Sequence, residues 1–273
     1  MAKSIMIQGT ASGVGKTILT LALCRIFAQD GFSVAPFKAQ NMTGNIHKTD
    51  AGEIAISQWL QALAAGVQPT TDMNPIILTP GQNGTEIVLN GKRFGTIGAH
   101  NYMDVKERLR LEVIEAYSRL AKSYDVIVIE GAGSPVELNL SKNDIVNMGM
   151  AKIANSPVIM VADIDRGGVF ASLYGTISLL DEESRAWVKA TVVNRFRGEV
   201  AYFSDGVKIL EDITQLPVAG VVPYMEINLP EEDGLFQGHD AQYDYGSQFD
   251  NIASHVRASL DMGLVHKILN DGV

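Results

Sequence analysis

The sequence predicts an α/β fold, a doubly wound and mostly parallel sheet, and three observations carry that expectation. Apolar runs of strand length recur at residues 4–7, 125–130, 157–163, 190–194 and 218–223, and unbroken runs of this kind mark strands buried on both faces of a parallel sheet. Helix-spaced patterns at 144–154, 169–180 and 206–214 separate the later runs, the alternation that builds βαβ units. Polar residues fall where strands stop, at Gln8, Lys38, Glu130, Asp163, Asn194 and Pro223. Ligands of such sheets gather above the carboxyl ends of the strands, so these six mark the face where a site is expected.

In chain order, residues 4–7 form the first strand and 18–27 a helix whose apolar residues recur at helical spacing. Residues 32–37 read as a second strand, closing on Lys38. A polar loop follows, with Asp50 and Glu53 near the start of a helix through 54–60. Residues 74–78 suggest another strand, and 86–89 with 93–97 flank Asn90-Gly91 as a hairpin. Residues 102–122 make a long amphipathic helix with its charges on a solvated face. Beyond the last strand, residues 225–248 lack periodicity, while 249–269 regain it through Ile252, Val256, Leu260, Leu264 and Ile268. The expected organisation is one domain over 1–233, a linker over 234–248 and a C-terminal helix within 249–273.

With 273 residues, 46% of them apolar, the chain has material for one large core without staples. Its longest apolar runs are of strand length, too short to span a bilayer, and no secretory leader or amphipathic membrane tail is legible. The single cysteine, Cys24, sits inside the first helix pattern and reads as core. No internal disulfide is then available, which suits a reducing cytoplasm. A net charge of −9 argues against a general nucleic-acid binder, which needs a basic face.

The stretch Gln8-Gly9-Thr10-Ala11-Ser12-Gly13-Val14-Gly15-Lys16-Thr17, between strand and helix, has the make-up of a polyphosphate cradle. Backbone N–H groups of Gly9, Thr10, Gly13, Val14 and Gly15 would face the phosphates. Lys16 would reach the terminal ones, and the Thr17 hydroxyl would ligate Mg2+. The usual spacing wants glycine where Thr10 stands, so Gly9 comes one residue early. Glu130 at a strand end suits a magnesium ligand. Asp50 and Glu53 are either further ligands or ordinary helix caps. Lys38 is placed for a terminal phosphate or an anionic substrate, against the alternative of a snorkelling surface lysine. Asn194, and backbone groups beside Pro223, are placed to read an adenine edge, although asparagine is also common in turns. Asp165 and Arg166, before Gly167-Gly168, either approach a ligand or pair with neighbours. The five histidines lie in no zinc-ligand spacing, so the chemistry is expected to come from bound nucleotide rather than a side-chain nucleophile.

The longer loop form, Gly-Thr followed by Val-Gly-Lys-Thr, is similar to that of dethiobiotin synthetase. With Pro36-Phe37-Lys38-Ala39-Gln40-Asn41-Met42, Met73-Asn74-Pro75, Glu130-Gly131-Ala132-Gly133-Ser134-Pro135 and Asp144-Ile145-Val146-Asn147-Met148-Gly149, the chain resembles the synthetase domain of the cobyric acid synthase family. Asp163-Ile164-Asp165-Arg166-Gly167-Gly168 and Asn194-Arg195-Phe196-Arg197-Gly198 complete the set. The resemblance implies a P-loop fold of the dethiobiotin synthetase type. It implies ATP- and magnesium-dependent amidation of corrin side-chain carboxylates, from adenosylcobyrinic acid a,c-diamide towards cobyric acid, through an acyl phosphate. By motif position, Lys16, Thr17 and Glu130 serve ATP and magnesium, and Lys38 holds the transferring phosphoryl group. Asn194 takes the adenine, and Asp144 and Arg166 face the substrate. Relatives of the fold suggest a homodimer.

Two departures stand out. Leu78-Thr79-Pro80 replaces the family's Leu-Lys-Pro, and the glutamine-hydrolysing segment is not recognisable between the first domain and the last helix. Nitrogen is therefore expected as free ammonia or from a separate glutaminase subunit. The competing classes are another carboxylate-activating ligase of this superfamily, a partitioning-type P-loop ATPase switch, and a binding subunit that keeps ATP without catalysis.

Overall fold

Six parallel strands form the central sheet in the computed structural model, which describes residues 2–81, 84–97, 102–139, 144–230 and 244–273. The chain opens with β1 (Lys3–Gly9), α1 (Lys16–Gln29), β2 (Val34–Phe37), β3 (Gln40–Met42), β4 (Ile46–Thr49), β5 (Gly52–Ala55) and α2 (Ile56–Ala64). β6 (Ile76–Gly81), β7 (Gly84–Leu89), β8 (Lys92–Ile97), α3 (Tyr102–Ser123), β9 (Val126–Glu130) and α4 (Met148–Ala154) follow. Then come β10 (Val158–Asp163), α5 (Val169–Leu179), α6 (Glu182–Trp187), β11 (Val188–Phe196), α7 (Ser204–Thr214) and β12 (Val218–Pro223). The last helices are α8 (Tyr245–Ser259) and α9 (Met262–Asp271).

The main sheet runs β12-β11-β10-β1-β9-β2. β1 pairs in parallel with β9 on one side and β10 on the other. The strand order therefore turns about β1, the arrangement that opens a crevice at the carboxyl ends. Strand alternation sorts side chains into two cores: Met6 faces the one beneath α3 and the second sheet, while Ile5 and Ile7 face the one shared with α1, α8 and α9. Both are fully enclosed, as parallel strands require.

The structure departs from the sequence expectation in five places. The polar loop after Lys38 is built: β4 and β5 pair antiparallel, and α2 starts only at Ile56. The hairpin at 86–97 belongs to a separate four-stranded sheet, β3-β6-β7-β8, beside the main one. The helix expected over 144–154 begins at Met148, because residues 144–147 form its capping turn. A short helix, α6, precedes β11. Finally, the expected linker enters α8 at Tyr245, and the single C-terminal helix is two. Leu260 leaves the helical region (φ −105, ψ 145) and bridges to Gly220, and Asp261 caps α9 by accepting from the Leu264 N–H. Residues 234–243 of the expected linker lie outside the described residues.

Candidate functional site

The turn from β1 into α1 carries Gly9 to Lys16 over the carboxyl end of the sheet. Gly15 has φ +100, and a Cβ there would come within 2.0 Å of the Asn194 amide nitrogen, so only glycine fits. Asn194, at the carboxyl end of β11, donates that amide to the Val14 carbonyl at 2.8 Å. The adenine-reading residue of the sequence analysis thus holds the phosphate loop itself. Lys16 is buried, and its ammonium donates to the Ala11 carbonyl at 2.8 Å and to the Gly133 carbonyl at 2.9 Å. Gly133 belongs to the loop after β9, which Asn147 clamps: its amide donates to the Ala132 and Ser134 carbonyls and accepts from the Ala132 N–H.

The Glu130 carboxylate is the centre of the β9 side. It is 1% exposed. Lys38 donates to Oε1 at 2.8 Å, as does the Thr17 hydroxyl, and the Gln61 amide donates to Oε2 at 2.6 Å. Gln58 stands 3.5 Å from Oε2, its own amide oxygen taken by Asn41 and Ser57. Burial pushes the Glu130 carboxyl up, but the Lys38 ammonium and the bonds from Gln61 and Thr17 outweigh it and hold the group below its ordinary range. Lys38 is positioned through its backbone: its N–H donates to the Met73 carbonyl, and its carbonyl accepts from the Asn74 amide. The Met-Asn-Pro stretch earns its place there. Gln58 and Gln61 were not singled out in sequence, although they are polar residues three apart on an otherwise apolar helix face, while Asn41 and Asn147 stood within motif blocks without an assigned role.

On the β10 side, Asp163 is buried and takes Arg195 at 2.9 Å, with Arg166 at 3.6 Å on the same oxygen. Arg195 adopts φ +61, a left-handed conformation uncommon outside glycine. Farther out, Asp165 receives both arms of Arg197, whose guanidinium lies 3.7 Å from the centre of the Tyr224 ring.

Four expected site residues stand elsewhere. Asp50 occupies the exposed β4–β5 turn, and Glu53 lies on β5 opposite Lys48, with its backbone tied to Gly91; neither supplies a contact given for Glu130. Among the described residues, no three His, Cys, Asp or Glu side chains gather as a preformed metal cage. Asp144 turns its carboxylate onto the backbone N–H groups of Val146, Asn147 and Gly149, capping α4. Pro223 ends β12 with its carbonyl 3.0 Å from His255 Nε2, beside a cavity of about 400 Å³ lined by Val221, Ala258 and Ser259. Cys24 is fully buried, and desolvation, with the Glu130 charge adding to it, pushes its thiol far up.

A parallel sheet that reverses about β1 and a Gly-Lys-Thr loop braced from both neighbouring strands define a P-loop nucleotide-binding protein. The chain belongs to the CobQ/CobB/MinD/ParA nucleotide binding domain family, whose model matches residues 5–235. It is 52% identical over 241 residues to the cobyric acid synthase of Lachnoclostridium phytofermentans, covering 86% of this chain and 47% of that protein. To the cobyric acid synthase of Salmonella arizonae it is 51% identical over 237 residues, 86% of this chain and 47% of the other. The chain spans about half the length of the curated relatives it matches. Chloroplast FtsY from Physcomitrella patens shares the fold, with a TM-score of 0.50 at 15% identity over 92% of this chain and 65% of that one. No helix among the described residues is long and apolar enough to cross a membrane.

Proposed function

We propose that this chain is an ATP- and magnesium-dependent, amide-forming ligase acting on corrin side-chain carboxylates, the synthetase part of a cobyric acid synthase. The observation that carries the reading is a single buried carboxylate, Glu130, joined to both Thr17 of the phosphate loop and Lys38 of the neighbouring strand. It occurs in a chain half identical to proteins bearing that name. The donor set suits the cofactor: a hydroxyl and a carboxylate are the hard oxygens magnesium takes, with phosphate oxygens and water completing its shell.

Magnesium ATP supplies the phosphoryl group and neutralises the charge of its transfer. Lys16 exchanges its two carbonyls for phosphate oxygens, and Thr17 and Glu130 hold the metal. With magnesium held by Thr17 and Glu130, the Lys38 ammonium would be available to the transferring phosphoryl group. A substrate carboxylate oxygen attacks the γ-phosphorus and ADP departs; ammonia then attacks the acyl carbon and phosphate leaves. Positioning and charge account for most of such catalysis. The inert Cys24 thiol fits an ammonia-fed site, the nitrogen coming free or from a glutaminase partner. The Pro223 carbonyl region and the cavity beside it take the base, Asn194 bracing the phosphate loop rather than reading the adenine, and the assembly is a homodimer. Asp50 and Glu53 join the metal only if the β4–β5 hairpin moves, and Asp144 acts on substrate only by giving up its capping bonds.

The test is a panel of carboxylates, the corrin a,c-diamide among them, incubated with ATP, magnesium and either ammonium or glutamine. Products are scored as ADP and amide by mass. Amidation with ammonium, and none with glutamine alone, is the expected outcome. ATP turnover that responds only to DNA or lipid surfaces, with no amide formed, would replace the ligase by a partitioning-type switch.

A further inference from the structure

The phosphate loop is flanked unequally. On its β9 side stands Gly133, whose carbonyl holds Lys16. On its β10 side stands a guanidinium: a Cβ built on Gly13 would lie 3.2 Å from Arg166 Nη2, so the arginine head rests against the crown of the loop. That head is lightly held. Its side chain is 68% exposed, and its ion pair with Asp163 is 3.6 Å long. Asp163 does not depend on it, because the same carboxylate oxygen takes Arg195 at 2.9 Å and the other accepts from the Asp165 N–H. A buried carboxylate that loses its last partner is costly; Asp163 keeps one when Arg166 leaves.

The contacts close into a ring. Asn194 grips the Val14 carbonyl, the next residue Arg195 grips Asp163, Asp163 steadies Arg166, and Arg166 returns to Gly13. The loop and the arginine are therefore held in one frame, built by the ends of β10 and β11. A planar fork of donors beside backbone N–H groups suits phosphate oxygens. Lys16 marks the terminal phosphates, and its carbonyl partner Ala11 lies two residues from Gly13 on the same arch.

From this geometry we infer that Arg166 binds the nucleotide, not the amidated substrate: its guanidinium swings from Asp163 onto the terminal phosphate of ATP, opposite Lys38, and supplies a third cation, after Lys16 and Lys38, within the same chain. The inference rests on the nucleotide-dependent ligase reading and changes the partner of a residue that the motif resemblance assigns to the substrate.

Titration calorimetry on the full chain, with a non-hydrolysable ATP analogue and with ADP, both as magnesium complexes and without carboxylate substrate, separates the possibilities. Arg166→Ala should weaken the ATP analogue by roughly tenfold or more, the range for a hydrogen bond to a charged group, and leave ADP within about twofold. Arg166→Lys should recover part of the loss. Equal losses for ATP and ADP would mean that Arg166 only braces the loop, and overturn the inference. Unchanged ATP affinity with a raised KM for the carboxylate would return it to the substrate side. A wild-type chain that binds neither nucleotide removes the ligase reading as well, and so is told apart from failure of Arg166 alone.

Discussion

The two flanks of the phosphate loop use the same kinds of charge in opposite surroundings. Toward β9, Lys38 and Glu130 form an ion pair 2.8 Å apart with side chains 5% and 0% exposed, and Thr17 and Gln61 complete the carboxylate. Toward β10 and β11, the partly exposed Arg166, Arg195 and Arg197 share the buried Asp163 and the more exposed Asp165. A buried pair must be fully bonded to exist, because each member alone would be stranded without solvent. An exposed pair costs little to break, because water replaces the partner. The first flank therefore changes partners only when another cation takes up the Glu130 charge, whereas the second can change partners at little cost while nucleotide binds.

The contrast is broken most severely by removing its buried member. Glu130→Ala removes the buried carboxylate that Lys38 pairs with and should lower unfolding free energy by about 3–5 kcal/mol, measured by urea titration. The same carboxylate sets an acid limit. Its folded-state pKa is depressed below the ordinary 4.5, so its contribution is complete above that value and is lost as pH falls through the folded one. The wild-type unfolding midpoint should therefore drop more steeply below about pH 4.5 than that of Glu130→Gln.

Lys16→Ala tests the chemistry shared by both flanks. Its rate loss should be on the order of a hundredfold or more, read as ADP release in the presence of substrate and ammonium. Asn194→Ala loosens the loop from the β11 side. With its amide bonded to the Val14 carbonyl, the first effect should be a loss of about 1 kcal/mol in affinity for ATP and GTP alike. Selective relaxation toward GTP would instead show direct base recognition. The smallest effect belongs to the outermost pair. Asp165→Asn disrupts the Arg197 bridge at a solvent-accessible site and should leave the thermal midpoint where it was. A clear fall there would erase the distinction between the flanks.

Much of this was legible because it follows from strand ends. Lys38 and Glu130 stand where apolar runs close, and the sheet delivers both to the loop. Gln58 and Gln61 were hidden by their type: nothing in a glutamine says that it will enter a core to meet a carboxylate 72 or 69 residues away in a different element. The β4–β5 hairpin was hidden by its short strands, four residues each, with Gly52 taking a backbone conformation that composition does not announce. The break between α8 and α9 was hidden by periodicity itself. Val256, Leu260, Leu264 and Ile268 keep a four-residue spacing straight through it, while Leu260 turns away to join Gly220 and Asp261 restarts the helix. The capping role of Asp144 was hidden for the opposite reason, since a carboxylate before a helix is as readily a cap as a reagent.

The closing helices carry one more implication, for how the chain is made. α8 covers α1, with Asp250 bonded to Arg25 and Gln29 and Arg257 bonded to Asp30. α9 sets His266 against Phe27 and brings Asn270 to Lys3. The outer face of the first helix therefore stays bare during synthesis until nearly the last residues of this sequence have emerged from the ribosome. Contacts spanning 221 to 267 positions make loop closure a late and slow event, and the nascent phosphate loop sits on a half-covered core throughout that interval.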